Sequence, residues 1–159
     1  MHERCDHLVR RLEDACQSTL EFFKNLKPAD WEKQVYTEGA AWSIRQVLAH
    51  FVMAEDGMAR LVAGVFAGGE GVSEDFDLNS YNEYKAKQIE DDSPETLLKK
   101  FSAARQITID MVAGCNDADL DKEGRHPWLG IAAVEEIIKL MYRHNKIHQR
   151  EIRAAINVG

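Results

Sequence analysis

Apolar side chains recur every three or four residues in four long segments, the spacing that gives an α-helix one buried face. The first segment runs over Glu3–Leu26 and ends before Pro28, because the residue preceding a proline avoids the helical conformation. The second begins at Ser43, whose hydroxyl can cap the first turn together with the Gln46 side chain. It ends at the glycine pair of residues 68–69.

Two more long helices are predicted in the second half of the chain. The third begins at Ser93, with Pro94 in the first helical position, and runs to about Cys115. The fourth follows an irregular, charged stretch and continues to about Ile156. The pattern across residues 79–89 also indicates a short additional helix.

The helices together predict the fold class. No segment alternates apolar and polar residues as a strand does, so we predict an all-α protein. Four amphipathic helices with one apolar face each are typical of a four-helix bundle. The connections 29–42 and 116–130 are unusually long, and long connections can cross over a bundle. We therefore predict a single domain, residues 1–159, folded as a four-helix bundle with long crossover-type connections.

Composition narrows the class of protein. Apolar residues make up 45% of the chain and charged residues 30%, which is ordinary for a globular protein. No apolar run approaches the ~20 residues needed to cross a membrane, and the N-terminus lacks the apolar core of a signal peptide. We expect a cytoplasmic protein without a membrane partner. Cys5, Cys16 and Cys115 are interpreted as small buried groups, with a reactive thiol as the alternative.

The charge distribution bears on partners. The net charge is −7, and acidic residues crowd the loops, so we expect no nucleic-acid partner. The exception is a basic face on the last helix, formed by Lys139, Arg143, Lys146, Arg150 and Arg153. We interpret this face as solvated, with an acidic patch of a second subunit or an anionic cosubstrate as the alternative.

Three histidines are candidate metal ligands. His144 and His148 lie four residues apart on the apolar side of the last helix, so both imidazoles can reach one ion. A single histidine there is usually a core residue with a hydrogen-bond partner, but two would each need such a partner. His50 lies at the edge of the apolar arc of the second helix. Since a bundle turns its apolar faces together, the three predict a shared site.

Three imidazoles leave at least one coordination position open, as in catalytic metal sites. The expected cofactor is a divalent transition metal, Zn²⁺ or Ni²⁺ first, with iron, manganese, cobalt and copper also compatible with imidazole. His126 lies in a loop, and we expect it to be distant from His144. Glu55 lies about 140° around the helix from His50, so we predict an ion pair or a supporting contact for it. No catalytic residue or general base is assigned.

Two stretches resemble a known family. Trp42–Glu55, with the sequence WSIRQVLAHFVMAE, resembles the second-helix signature of the DinB/YfiT-like superfamily. The stretch HPWLG, followed by a helix carrying HNKIH, resembles its C-terminal part. The resemblance implies a crossover four-helix bundle with a divalent metal held by His50, His144 and His148. It also implies a homodimer, and some relatives are isomerases or S-transferases that use low-molecular-weight thiols such as mycothiol or bacillithiol.

Two hypotheses for function follow. In the first, the metal activates a low-molecular-weight thiol or water for S-transfer or hydrolysis on a small electrophile, because a bound divalent ion lowers the pKa of its ligand. The partners would then be a small-molecule substrate and a second copy of the chain. In the second, the protein is a non-catalytic metal-binding or interaction bundle, related to stress. An open coordination position beside a concave pocket would favour the first.

Overall fold

The computed structural model describes residues 2–35 and 41–157. Over these residues the elements are α1 Glu3–Lys24, α2 Ile44–Phe66, α3 Leu78–Ile89, α4 Pro94–Ala113, β1 Glu123–His126, β2 Gly130–Ala133 and α5 Val134–Asn157. Single 3-10 turns lie at Pro28–Asp30 and Asp119–Asp121. None of these described helices is both long enough and apolar enough to cross a bilayer.

The helix starts are set by the predicted capping residues. Ser43 Oγ accepts a hydrogen bond from the Gln46 backbone N–H at 3.2 Å, and Gln46 Oε1 accepts one from the Ser43 N–H at 2.8 Å. Ser93 Oγ accepts from the Thr96 N–H at the start of α4. The short helix α3 is also present, capped by the Asp77 carboxylate. Each cap satisfies backbone donors that the first helical turn leaves without partners.

The order of the helices around the bundle explains the long connections. Helix α1 packs against α4 and α5, and α2 packs against the same two helices. Consecutive helices α1 and α2 are therefore diagonal, as are α4 and α5. Each diagonal step carries the chain across an end of the bundle, which takes a longer connection than a turn between neighbours. The predicted four-helix bundle with crossover-type connections is confirmed.

A buried ion pair ties the four bundle helices together. Arg105 on α4 is fully buried and donates two hydrogen bonds to the Glu55 carboxylate on α2, at 2.8 and 2.9 Å. The same guanidinium donates to the carbonyl oxygens of Leu12 on α1 and Met141 on α5, both at 3.3 Å. Thr108 Oγ donates a further bond to Glu55. The predicted ion-pair role of Glu55 is confirmed.

The expectation that the chain contains no strand is wrong for one short hairpin. Strands β1 and β2 pair antiparallel, with His126 opposite Gly130. A Cβ at Gly124 would collide with Val65, so the close approach of the hairpin to α2 requires glycine at this position. The loop after α2 is anchored to β1 as well, since the Val72 N–H donates to the Arg125 carbonyl at 2.9 Å. The hairpin and this loop therefore enclose one side of α2.

Two of the three cysteines lie in the buried apolar environment expected of small apolar groups. Cys5 and Cys115 are buried in the same apolar cluster, and Cys16 is half-buried; all three are free thiols. Burial raises the pKa of each thiol above its ordinary value. A raised pKa disfavours the reactive thiolate, so the alternative of a reactive cysteine gains no support.

Candidate metal centre

The three predicted histidines converge on one point. His144 Nε2 lies 3.3 Å from His50 Nε2 and 2.9 Å from His148 Nε2. One ring nitrogen from each residue lies within 4.8 Å of the others. Two imidazole nitrogens bound tetrahedrally to one Zn²⁺ at about 2.0–2.1 Å are roughly 3.3 Å apart. The spacing between α2 and α5 therefore suits three bonds to a single ion.

Hydrogen bonding alone does not satisfy these nitrogens. A neutral ring nitrogen offers either one proton or one lone pair. His144 Nε2 faces two other ring nitrogens but has only one of these two roles. It therefore cannot donate a hydrogen bond to one of them and accept a hydrogen bond from the other. The buried His50 Nδ1, which has no hydrogen-bond partner in the described part of the chain, is the other nitrogen of its ring and does not face the meeting point. A divalent ion at the meeting point would engage all three Nε2 atoms at once, so the donor set fits a metal.

The histidines are held in the protonation state that binds metals. Burial, reinforced by the neighbouring imidazoles, lowers the pKa of His144 to about 3 and that of His50 to about 4. Burial also lowers the pKa of His148, against an opposing effect of the Glu151 carboxylate. The rings are therefore neutral at neutral pH. A metal then faces little competition from protons for these nitrogens.

Aromatic side chains surround the three imidazoles. The Trp42 ring centroid lies 4.8 Å from that of His50, the Phe51 centroid 5.7 Å from that of His148, and the Trp128 centroid 5.9 Å from that of His144. Such a shell limits the access of water and lowers the local dielectric constant. It also restricts the orientations of the rings.

A cavity of about 380 Å³ opens beside the histidines and is lined by His50 and His144. Its other walls come from α2, the loop after α2, the α3 region and the turn of the hairpin. This volume lies in the usual range of small-molecule sites, about 300–1,000 Å³. A molecule in the cavity would meet two of the three imidazoles. The candidate centre is thus open on one side and enclosed by the bundle on the other.

His126 is a site residue that the sequence reasoning placed too far away. It is 5% exposed and lines the same cavity as His144. The expected separation assumed a long helical path to His144, whereas the hairpin folds this segment back over α2. His126 Nδ1 accepts hydrogen bonds from the backbone N–H groups of Trp128 at 3.0 Å and Leu129 at 3.2 Å. Since Nδ1 is an acceptor, the neutral ring carries its proton on Nε2.

A sequence profile of the DinB superfamily matches residues 11–152. The chain belongs to the DinB superfamily. The predicted resemblance is thereby confirmed. No curated protein matches the chain at a significant level.

Solved structures of the same fold include three that bear on function. YfiT from Bacillus subtilis, described as "a probable metal-dependent hydrolase with an unusual four-helix bundle topology", has a TM-score of 0.77 and 15% identity, covering 98% of this chain and 87% of that one. A mycothiol-dependent maleylpyruvate isomerase has a TM-score of 0.73 and 13% identity, and the match covers 93% of this chain and 60% of the isomerase chain. The colibactin self-resistance protein ClbS, in complex with a dsDNA, has a TM-score of 0.73 and 12% identity, and the match covers 95% of this chain and 94% of the ClbS chain. At these identities the likeness is one of fold.

The complex of ClbS corrects one prediction. We excluded nucleic acid as a partner from the net charge of −7, but a protein of the same fold is bound to dsDNA. The exclusion is wrong because net charge is a sum over the whole surface, whereas a phosphate backbone responds to the local field. Arg143, Lys146 and Arg150 are exposed on α5, so the local charge there differs in sign from the total.

Proposed function

We propose that this DinB protein is a metal-dependent enzyme whose divalent transition ion, Zn²⁺ or Ni²⁺ first, is held by His50, His144 and His148. The ion would activate a low-molecular-weight thiol or a water for S-transfer or hydrolysis on a small electrophile. The observation that carries the proposal is the convergence of three imidazole nitrogens at the edge of a cavity. The metal-dependent description of YfiT and the mycothiol dependence of the isomerase support it by analogy of fold.

When bound, the ion supplies a lowered pKa for a coordinated water or thiol, giving hydroxide or thiolate near neutral pH. The protein's own contribution is to hold three neutral donors in place, which leaves the positive charge of the centre undiminished. On the side away from the cavity, the buried Phe51 ring packs against the imidazoles and limits the access of bulk water. Excluding water strengthens each electrostatic contact inside the site.

His126 acts in this proposal as a hydrogen-bond donor. Two backbone N–H groups occupy its Nδ1, and burial lowers the pKa of the ring, so it is neutral with the proton on Nε2. A neutral Nε2–H on the cavity wall can donate to a substrate oxygen on which negative charge develops. Donors placed in this way stabilise transition states of acyl and related transfers.

The alternative is a non-catalytic bundle. One observation favours it. Among the described residues that line the cavity, only Glu70 carries a carboxylate, and Glu70 is exposed, so this part of the wall offers no buried general base. The cavity beside His50 and His144 argues against it, since a purely structural metal site is closed by protein ligands. Metal activation of the nucleophile itself removes the need for a strong base.

The proposal is tested by metal analysis of protein purified without a histidine tag. We expect about one equivalent of a divalent metal per chain in the wild type, and a strong loss in His144→Ala and His148→Ala. His7→Ala is the matched control, because His7 is an exposed histidine on α1. Equal metal content in all four proteins would end the proposal. Metal-dependent turnover of an electrophile with any of several biological thiols would exclude the non-catalytic alternative.

A further inference from the structure

The cavity beside the three histidines has largely apolar walls. They include Met53 and Leu61 on α2, Phe76 and Leu78 around the start of α3, and Trp128 in the hairpin turn. Among the described lining residues, Arg60 and Glu70 carry charge. The Arg60 side chain is 74% exposed and pairs with Asp56 at 3.1 Å, and Glu70 is exposed as well. Neither charge therefore belongs to the enclosed part of the wall.

The walls bear on which reactant the cavity can hold. A low-molecular-weight thiol built on a sugar or a peptide carries many hydroxyl, amide and carboxylate groups. Each of these must find a protein partner when it leaves water, or binding is weakened. The polar side chains on the wall, apart from the two charged ones, are Tyr81, Asn82, Trp128 with its single indole N–H, and the histidines. Such a wall suits an apolar ligand much better than a polar one.

Two glycines in α2 form part of this wall. A Cβ at Gly57 would lie 3.2 Å from the Tyr81 hydroxyl, so glycine there lets Tyr81 lie close against α2. A Cβ at Gly64 would meet no atom within 4 Å, and Gly64 has no positive φ. Glycine in the middle of a helix is unfavourable relative to alanine. Packing therefore does not require glycine at position 64. Gly64 is an exposed residue that lines the cavity, so a large side chain there would take up space in the cavity mouth.

We propose that this cavity binds the apolar reactant of the proposed reaction, a neutral molecule with an alkyl or aryl body whose reacting end lies at His50 and His144. The reaction that the ligand would undergo rests on the proposed function. The apolar class of the ligand rests only on the residues that line the cavity. An engineered apolar cavity of about 150 Å³ holds benzene. At about 380 Å³ the present cavity is roughly two and a half times larger, which suits a body of about two aromatic rings.

The test is calorimetric binding of the straight-chain alcohols 1-butanol, 1-hexanol and 1-octanol to the metal-loaded protein. We expect affinity to rise about fourfold for each added methylene, since each one leaves water for an apolar wall. Gly64→Leu should remove most of this gain, because the leucine side chain fills the open space. Ala63→Leu is the matched control: Ala63 is an exposed neighbour on α2 that does not line the cavity. It should bind the alcohols as the wild type does.

Gly64→Leu should fold normally, because leucine favours helix more than glycine does and no atom blocks the new Cβ. Affinity that is independent of chain length, or unchanged in Gly64→Leu, would overturn the inference. Binding of glutathione that depends on Gly64 while alcohol binding does not would overturn it as well. Failure of the proposed function looks different: the alcohols would bind with the expected dependence on chain length and on Gly64, while the metal content of His144→Ala and His148→Ala would equal that of the wild type.

Discussion

Replacing Arg105 by methionine removes the cation that contacts all three other bundle helices. The guanidinium is fully buried and donates two short hydrogen bonds to the Glu55 carboxylate, which is 3% exposed. Methionine fills a similar space but offers no donor. Glu55 would keep the Thr108 hydroxyl as its donor among the described residues and would have no opposite charge beside it.

The magnitude follows from the burial of the pair. Removing one partner of a buried ion pair costs about 3–5 kcal/mol, because an uncompensated charge is left in a medium of low dielectric constant. The bonds to the Leu12 and Met141 carbonyls add little, since their length of 3.3 Å indicates weak contacts. Total stabilities of such domains are about 5–15 kcal/mol. Arg105→Met should therefore lose a large part of the free energy of unfolding.

Urea denaturation followed by circular dichroism measures the effect. The control is Arg60→Met, which makes the same substitution in the exposed Asp56–Arg60 pair on α2 and should cost less than about 1 kcal/mol. The double variant Arg105→Met with Glu55→Leu should recover much of the loss, because no buried charge is left unpaired. If Arg105→Met destabilises the protein no more than Arg60→Met does, the reasoning about the buried pair is refuted.

Three further predictions concern the histidines. The pKa values of His50 and His144 are lower in the folded chain than the ordinary value of 6.5, so the unfolded state binds more protons below that pH. Their stabilising contribution is therefore complete above about pH 6.5 and is lost as the pH falls toward 4. Urea unfolding of the metal-free protein from pH 7 to 5 should show a steeper loss of unfolding free energy in the wild type than in His144→Ala. Parallel curves for the two proteins would contradict this. Added Zn²⁺ should raise the melting temperature of the wild type but not of His148→Ala, since only a ligand that binds the folded state stabilises it; equal shifts would point to surface binding. His126→Ala should lower turnover about 10²–10³-fold with metal content unchanged, as loss of a transition-state donor does, and full activity in this variant would remove its proposed role.

The helices and their caps were predictable because they depend on local sequence. A period of 3.6 residues places apolar side chains on one face, and Ser43 and Ser93 bond to amides only three residues away. The convergence of His50 and His144 was predictable for a related reason: both lie at the edges of apolar arcs that a bundle must turn inward.

The features that depend on how distant segments meet were not predictable in this way. The strands of the hairpin have four residues each, too few for an alternating pattern to be distinct, and the reason for Gly124 is its contact with Val65 on another element. His126 reaches the cavity wall because this hairpin folds over α2. The place of Gly64 on the cavity wall was hidden as well, since the cavity exists only once α2, α3 and the hairpin are assembled.

The most direct test of the metal centre is anomalous diffraction at the zinc edge from crystals grown with Zn²⁺. If the three histidines hold the ion, the map will contain one strong peak about 2.0–2.1 Å from the Nε2 atoms of His50, His144 and His148, facing the cavity. An anomalous map with no peak among these three rings, or with zinc bound only at surface side chains, would contradict it.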